Sequence, residues 1–243
     1  MTDAELYQRG IATAVACWER FARSVRGAAV ERLGHVDVAV FPSGPERSIY
    51  NNAVLARGIT AGEHGAAVGA LEDRYARAEV TGYAVWVHED DDRGRDVLER
   101  RGYRIETSTR AMGMERSEFR DVSTVIGRGR ADWLEHKRII GVDAGLLRVL
   151  DVSDFSLLIA VDARESVATG LSFDRDGDCG IYNVTTVERA RRRGVGAALT
   201  AELLRDAWRR GCETATLQST SIAESMYASI GFRDLGRIVE YAR

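Results

Sequence analysis

The stretch RARRRGVGAALTAELL, Arg189 to Leu204, sets four arginines directly before two closely spaced glycines, Gly194 and Gly196. From Val195 onward apolar residues return every fourth position, at Leu199, Leu203 and Ala207, and Leu204 and Trp208 widen the stripe. That is the pattern of a helix laid against a sheet. The glycines fall in its first turn, where backbone N–H groups lack intrahelical acceptors and the helix dipole is positive. Glycine in a helix costs roughly 1 kcal/mol relative to alanine, so these two point to something approaching the main chain. A phosphate-bearing ligand suits the place. Main-chain donors hold the anion, the missing Cβ atoms admit it, and Arg191, Arg192 and Arg193 add charge-assisted contacts. Neither GxGxxG nor GxxxxGK[ST] describes the stretch, so a dinucleotide fingerprint and a P-loop are excluded. The plain alternative is a glycine turn capping a helix beside solvated arginines.

The elements that must position this stretch alternate between strand and helix, which argues for an α/β (α+β) fold. The pattern predicts a helix over 4–32, strands over 35–41 and 48–56, a helix over 62–78, a strand over 83–88, a short helix over 90–101 and a strand over 103–114. The second half predicts strands over 155–162, 166–174 and 180–187, a helix over 194–210, a strand over 213–219, a helix over 221–229 and a last strand over 235–241. The halves also register residue by residue. Gly65, Gly82 and Gly102 recur as Gly194, Gly211 and Gly231, 129 residues further on in each case, and RRGY at 100–103 falls on SIGF at 229–232. With a slightly larger shift, IYNNAV at 49–54 resembles IYNVTT at 181–186. A tandem repeat follows, with a polar linker near 115–121 and domains expected at 1–116 and 117–243. The chain has only two prolines, Pro42 and Pro45, so no stiff spacer separates the halves.

Composition narrows the function class. With 45% hydrophobic and 29% charged residues the chain is expected to fold throughout, and its net charge of −3 opposes a general affinity for nucleic acid. Lys137 is the sole lysine, so the abundance of arginine carries little functional meaning. Cys17, Cys179 and Cys212 show no CxxC spacing and the four histidines are scattered, so no metal site is assigned and a reducing cytoplasm is expected. The most apolar run, 155–161, is far short of the roughly 20 residues that a membrane helix needs.

RRRGVG at 191–196 fits the [Q/R]-x-x-G-x-[G/A] motif of the GNAT superfamily of acyl-CoA N-acyltransferases, and MYASIGF at 226–232 resembles that family's LYxxxGF segment. VTTVERARRRGVG at 184–196 is similar to VATLPEARGRGYG, and LQSTSIAESMYASIGF at 217–232 to LQASPMGYPVYRRLGF, both common in bacterial members. The resemblance covers 122–243, and the first half only through the repeat. It implies two tandem GNAT-like domains, each a central, mostly antiparallel mixed sheet flanked by helices. It also implies acetyl-CoA as cosubstrate, with pyrophosphate on the backbone of Arg191, Arg192, Arg193, Gly194, Val195, Gly196 and Ala197, and pantetheine along Val184, Thr185, Thr186 and Val187.

Two positions depart from the family: Glu188 stands where a proline is usual, and Thr220 where many members carry asparagine, which puts its cofactor contact in doubt. Tyr227 takes the position whose hydroxyl protonates the departing thiolate. Glu188 and Glu165 are candidates for the base, which stays unassigned. In the first half Gly62, Ala67 and Leu98 replace Arg191, Gly196 and Tyr227, so that copy is expected to be degenerate and to cover the substrate side, with Asn51 and Asn52 as polar contacts. The function expected is acetyl transfer to a primary amine, by a monomer or homodimer, without nucleic acid or membrane as partner. A non-catalytic acyl-CoA-binding regulatory module is the alternative, and a nucleic-acid interface at Arg189–Arg193 the third reading.

Overall fold

Two runs of alternating strand and helix follow one another along the chain, their strands belong to one open, mostly antiparallel sheet, and the chain divides into two compact units. In this computed structural model residues 1–43, 50–122, 126–141 and 153–243 are described. Of these, Met1–Ala14, 111–141 and 153–235 fall in one unit, and Val15–Arg110 and Gly236–Arg243 in the other. Each is therefore assembled from segments far apart in sequence, where the sequence suggested a single cut between residues 116 and 117.

The N-terminal unit begins at Val15, within helix α1 (Asp3–Ala22), and contains strands β1 (Ala29–Leu33), β2 (Val36–Val40), β3 (Asn52–Leu55) and β4 (Ala84–His88), with helix α2 (Ala61–Arg77) between β3 and β4 and α3 (Asp92–Arg100) after β4. The helix expected to reach residue 32 ends ten residues earlier. Residues 29–33 instead pair antiparallel with β2 through a tight turn at Gly34–His35, with Leu33 opposite Val36. Of the strand expected over 48–56, Ser48 and Ile49 lie outside the described residues, as does Pro45. β1, β2 and β3 are antiparallel neighbours, whereas β3 and β4 are parallel, with Asn52 opposite Ala84 and Val54 opposite Trp86. The last neighbour of β4 is the end of the chain, where Ile238 lies opposite His88 and Tyr241 opposite Val85. One face of this sheet buries Val38, Ala53, Val85 and Val239 with Leu71 and Tyr75 of α2.

The other unit repeats that succession. After β5 (Arg104–Glu115), β6 (Gly127–Arg128) and α4 (Trp133–Ile140) come the strands β7 (Phe155–Asp162), β8 (Glu165–Arg175) and β9 (Asp178–Thr186). Helix α5 (Val195–Arg210), strand β10 (Thr214–Ser219), helix α6 (Glu224–Ile230) and strand β11 (Arg233–Ala242) follow. β6 to β9 are antiparallel in turn, β9 and β10 are parallel, and β5 flanks β10. In each unit the strands are thus mostly antiparallel, with one parallel pair bridged by a helix. All six apolar residues of the predicted α5 stripe are buried, and they pack with Leu158, Ile181 and Leu217 of the strands. Among the described residues no helix is long and apolar enough to cross a membrane, and the three cysteines are free and buried.

Candidate active site

The site is built by a strand that outlasts its partner. β9 and β10 pair in parallel from Thr214 opposite Asp178 to Leu217 opposite Ile181, and there the ladder stops, although β9 runs on to Thr186. A bulge explains the parting. Leu171 of β8 faces Tyr182 and Thr169 faces Thr185, so two residues of β9, Asn183 and Val184, stand against Gly170 alone. Asn183 takes a left-handed conformation, φ 54°, which asparagine tolerates better than most residues. A bulge bends its strand and sharpens the local twist. Gly170 makes room opposite, since a Cβ there would lie 2.8 Å from Leu199 Cδ2 and 3.1 Å from Val184 Cγ2. Beyond Ile181 the β10-facing side of β9 therefore has no strand partner among the described residues.

Beside this open strand lies the start of α5. Its N-cap, Gly194, has φ 76° and gives no side-chain cap, and the first turn carries no acidic residue. The first helical bond runs from Ala198 N–H to Gly194 C=O at 2.9 Å, so the N–H groups of Val195, Gly196 and Ala197 precede the ladder. Arg192, two residues before Gly194, is also left-handed at φ 61°. Such alternation turns successive N–H groups into an anion-binding concavity. Here Gly194 is required for its backbone angle and Gly196 for space, because a Cβ on Gly196 would come within 3.1 Å of Met226 Sδ and 3.4 Å of Thr186 Oγ1.

The arginines divide their tasks. Arg191 donates from Nε to the Thr186 carbonyl at 3.0 Å, tying the helix approach to the end of β9. Arg193 pairs with Asp162 at 2.9 Å and Arg189 with Glu165. Arg192 makes no ion pair or hydrogen bond among the described residues, and it lines the cleft.

That cleft, about 830 Å³, is lined by Val184, Thr185, Thr186, Arg191, Arg192, Gly194, Val195, Gly196, Ala197, Thr220 and Tyr227 among the residues singled out from sequence. Val187 and Arg193 are absent from the lining: the Val187 N–H is spent on the Val167 carbonyl at 2.9 Å, and Arg193 is held by Asp162. Ala190, Ile222, Ala223, Ser225 and Met226 complete the walls. Sequence reasoning passed over these, and only Met226, adjacent to Tyr227 in the motif, carried a signal. Ile222 is 90% exposed at the rim.

Tyr227, on α6, is 6% exposed and packs edge-on against Phe232 with ring centroids 5.7 Å apart. Burial pushes its hydroxyl up to about 12, so it stays protonated at neutral pH. Neither Glu188 nor Glu165 lines the cleft, and Glu165 is occupied by Arg189. Both base candidates therefore stand outside the pocket that Tyr227 lines.

The corresponding place in the N-terminal unit is built differently. α2 is closed by its own capping box, in which Glu63 N–H donates to Thr60 Oγ1 at 3.3 Å and the Glu63 carboxylate accepts from Thr60 N–H at 2.7 Å. A carboxylate thus occupies the helix terminus that α5 leaves bare. β3 ends one residue after its last pairing with β4, so no open strand is presented, and Leu98, at the position matching Tyr227, is fully buried. Asn51 serves the fold, accepting from Phe41 N–H at 2.8 Å and donating to Phe41 C=O at 3.3 Å.

Comparison with known proteins agrees with this geometry. A family model described as an acetyltransferase (GNAT) domain matches residues 142–242. A search of curated proteins finds no match. Among solved structures, a GCN5-related N-acetyltransferase from Kribbella flavida is 18% identical, with a TM-score of 0.71 and 94% of both chains covered. A GCN5-related N-acetyltransferase from Sphaerobacter thermophilus is 18% identical, with a TM-score of 0.60 over 99% of this chain and 93% of that one. A tandem GNAT protein from the clavulanic acid biosynthesis pathway is 11% identical, with a TM-score of 0.62 over 99% and 95% of the two chains.

Proposed function

We propose that this chain, whose residues 142–242 match a family model described as an acetyltransferase (GNAT) domain, transfers the acetyl group of acetyl-CoA to a primary amine by direct attack on the thioester. The observation that carries the reading is the strand β9 left open past Ile181 beside an uncapped helix terminus. Pantetheine is an amide chain, and the free edge at Val184–Thr186 suits its pairing as an extra strand. The pyrophosphate then falls on the N–H groups of Val195, Gly196 and Ala197, with Arg192 as the unengaged cation. These residues bind, and open-edge N–H groups are available to polarise the thioester oxygen.

In the transfer, the amine nitrogen forms a bond to the acetyl carbon, the carbon–sulfur bond breaks, and the sulfur leaves with the electron pair. Tyr227 donates to that sulfur. The proton lost by the ammonium goes to water, since no carboxylate among the predicted candidates reaches the cleft. The paired state of Arg189 and Arg193 speaks against a nucleic-acid interface, because those charges are already neutralised within the fold. The degenerate N-terminal copy, capped by Glu63, is assigned no acetyl-CoA, so one molecule binds per chain.

The test pairs Gly194→Glu with Gly194→Asn. Asparagine accepts the left-handed angle and adds no charge, whereas glutamate brings bulk and negative charge to the phosphate position. Calorimetry is expected to give one acetyl-CoA per wild-type chain, near-normal binding for the asparagine variant and none for the glutamate variant. Binding retained by a folded Gly194→Glu protein removes the loop from the cofactor site. Release of free CoA across an amine panel then separates transfer from mere acyl-CoA binding, and the absence of release with every amine favours the regulatory module.

A further inference from the structure

Strand β9 acquires an acyl end once the pyrophosphate is seated on α5. Thr186 adjoins the first turn of that helix: a Cβ on Gly196 would stand 3.4 Å from its Oγ1, and Arg191 Nε donates to its carbonyl at 3.0 Å. A pantetheine arm laid along Thr186, Thr185 and Val184 therefore leads away from the helix and carries its thioester toward the bulge. The next residue in that direction is Asn183, about 10 Å from Thr186 at roughly 3.3 Å per strand residue.

Asn183 is exposed, although Tyr182 and Val184 on either side are half-buried. Val184 lines the cofactor cleft and Asn183 does not, so the asparagine side chain is left for something other than the cofactor. Its φ of 54° takes it out of the strand's alternation, and a bulge beside an active site re-aims a side chain in this way. Among the described residues no hydrogen bond or ion pair engages its amide.

The same end of the cleft lacks a base. Among the described residues that line it none is a carboxylate or an imidazole, and Tyr227, its hydroxyl pushed up to about 12 by burial, keeps its proton. The amine must then arrive deprotonated. At a pH of about 7.5 roughly a third of an α-amine with a pKa near 7.8 is free base, against about one part in a thousand of a lysine-type amine near 10.4. That difference favours an ammonium weakened by an electron-withdrawing neighbour. An amide carbonyl on the adjacent carbon is such a neighbour, and it is a group that an asparagine side chain matches donor to acceptor.

We propose that the acceptor is an α-amino amide, the grouping found at the amino end of a peptide or in an amino-acid amide, and that Asn183 selects it. Asn183 Nδ2 donates to the acceptor's carbonyl oxygen and Oδ1 accepts from its amide N–H, which turns the amine toward the thioester. The free amine nitrogen bonds the acetyl carbon, the carbon–sulfur bond breaks with its electron pair on sulfur, and the proton shed by nitrogen passes to water. The inference rests on the proposed acyl transfer and adds to it the class of acceptor.

Glycinamide and propylamine are compared as acceptors by release of free CoA from acetyl-CoA, with rates referred to the free-base concentration so that ionisation is divided out. The wild-type chain is expected to favour glycinamide at least tenfold in kcat/KM. Asn183→Gly is expected to cut that preference to less than threefold, chiefly by raising the KM for glycinamide, while acetyl-CoA still binds. If the glycine variant does not fold, Asn183→Asp, which tolerates the left-handed angle but lacks the amide donors, is expected to lose the preference likewise. Triglycinamide separates the sources: a KM well below that of glycinamide marks a peptide end, and an equal or higher one a small amino amide. Equal use of glycinamide and propylamine by the wild type, or a preference that survives in a folded variant that binds acetyl-CoA, overturns selection by Asn183 and leaves acyl transfer standing. Acetyl-CoA bound with no CoA released to any amine overturns both.

Discussion

Tyr227 holds its proton because burial disfavours the phenolate, and that fixes what the residue can contribute. A thiolate in water has a conjugate acid of about 8.5, so a phenol pushed up to about 12 does not surrender its proton ahead of bond breaking. In the proposed transfer it donates a hydrogen bond that strengthens as charge builds on sulfur, and the same dry surroundings raise the basicity of that sulfur. Among the described residues none hydrogen-bonds the Tyr227 hydroxyl, so its removal strands no partner inside the fold. Tyr227→Phe is therefore expected to keep its melting temperature and its acetyl-CoA dissociation constant, while turnover falls roughly ten- to a thousandfold. Unchanged turnover per folded molecule takes the tyrosine out of the mechanism. Where a short-range motif picked residues out, the fold brings them together: Gly194, Gly196, Arg192 and Tyr227 all line the cleft. The assignments of Val187 and Arg193 went beyond what spacing can decide, because a backbone partner such as Val167 and a counter-ion such as Asp162 come from strands remote in sequence.

At the scale of the element, the cleft depends on one irregularity. Strand and helix positions followed from hydrophobic period, and most of the second half agrees within two or three residues. The bulge did not announce itself as such, although an asparagine and a glycine inside runs of strand residues, Asn183 and Gly170, are its two marks. α4 was missed altogether. It is eight residues long and anchored by His136, whose Nδ1 lies 2.8 Å from the Thr169 hydroxyl, a contact no local pattern forecasts. If the bulge is what parts β9 from β10, a β-branched residue at 183 works against it, since such side chains resist positive φ. Asn183→Val is expected to lower stability by about 1–3 kcal/mol in urea titration and to weaken acetyl-CoA binding at least tenfold by calorimetry. Asn183→Gly, which accepts the angle, is expected to retain binding within a few-fold. Wild-type affinity in the valine variant means that the strands part for another reason.

At the scale of the whole molecule, the repeat readable in the glycine spacing leaves open which strands join. Two copies in tandem suggest two halves that fold in turn, and β4 of the N-terminal unit takes its neighbour from the end of the chain. Hydrophobic pattern identifies residues 235–241 as a strand but carries no information on which strand it joins, because pairing is set by tertiary contact. The consequence is testable with a fragment cut at the boundary the sequence suggests. Residues 1–116 alone lack the partner of β4 and two core side chains, Val239 and the fully buried Tyr241. They also lose the bond from the Tyr241 hydroxyl to Glu99 at 2.8 Å. Burial of two such side chains is worth about 1.5–3 kcal/mol each, and β4 becomes an unpaired apolar edge of the kind that invites aggregation. Against a total stability of about 5–15 kcal/mol for a domain, that loss is large. The 1–116 fragment is therefore expected to lose its cooperative melt by circular dichroism and to self-associate in sedimentation, whereas the same fragment with residues 233–243 joined through a long glycine-serine linker is expected to regain a cooperative transition as a monomer. A 1–116 fragment that melts cooperatively as a monomer on its own shows that the N-terminal unit does not need the strand.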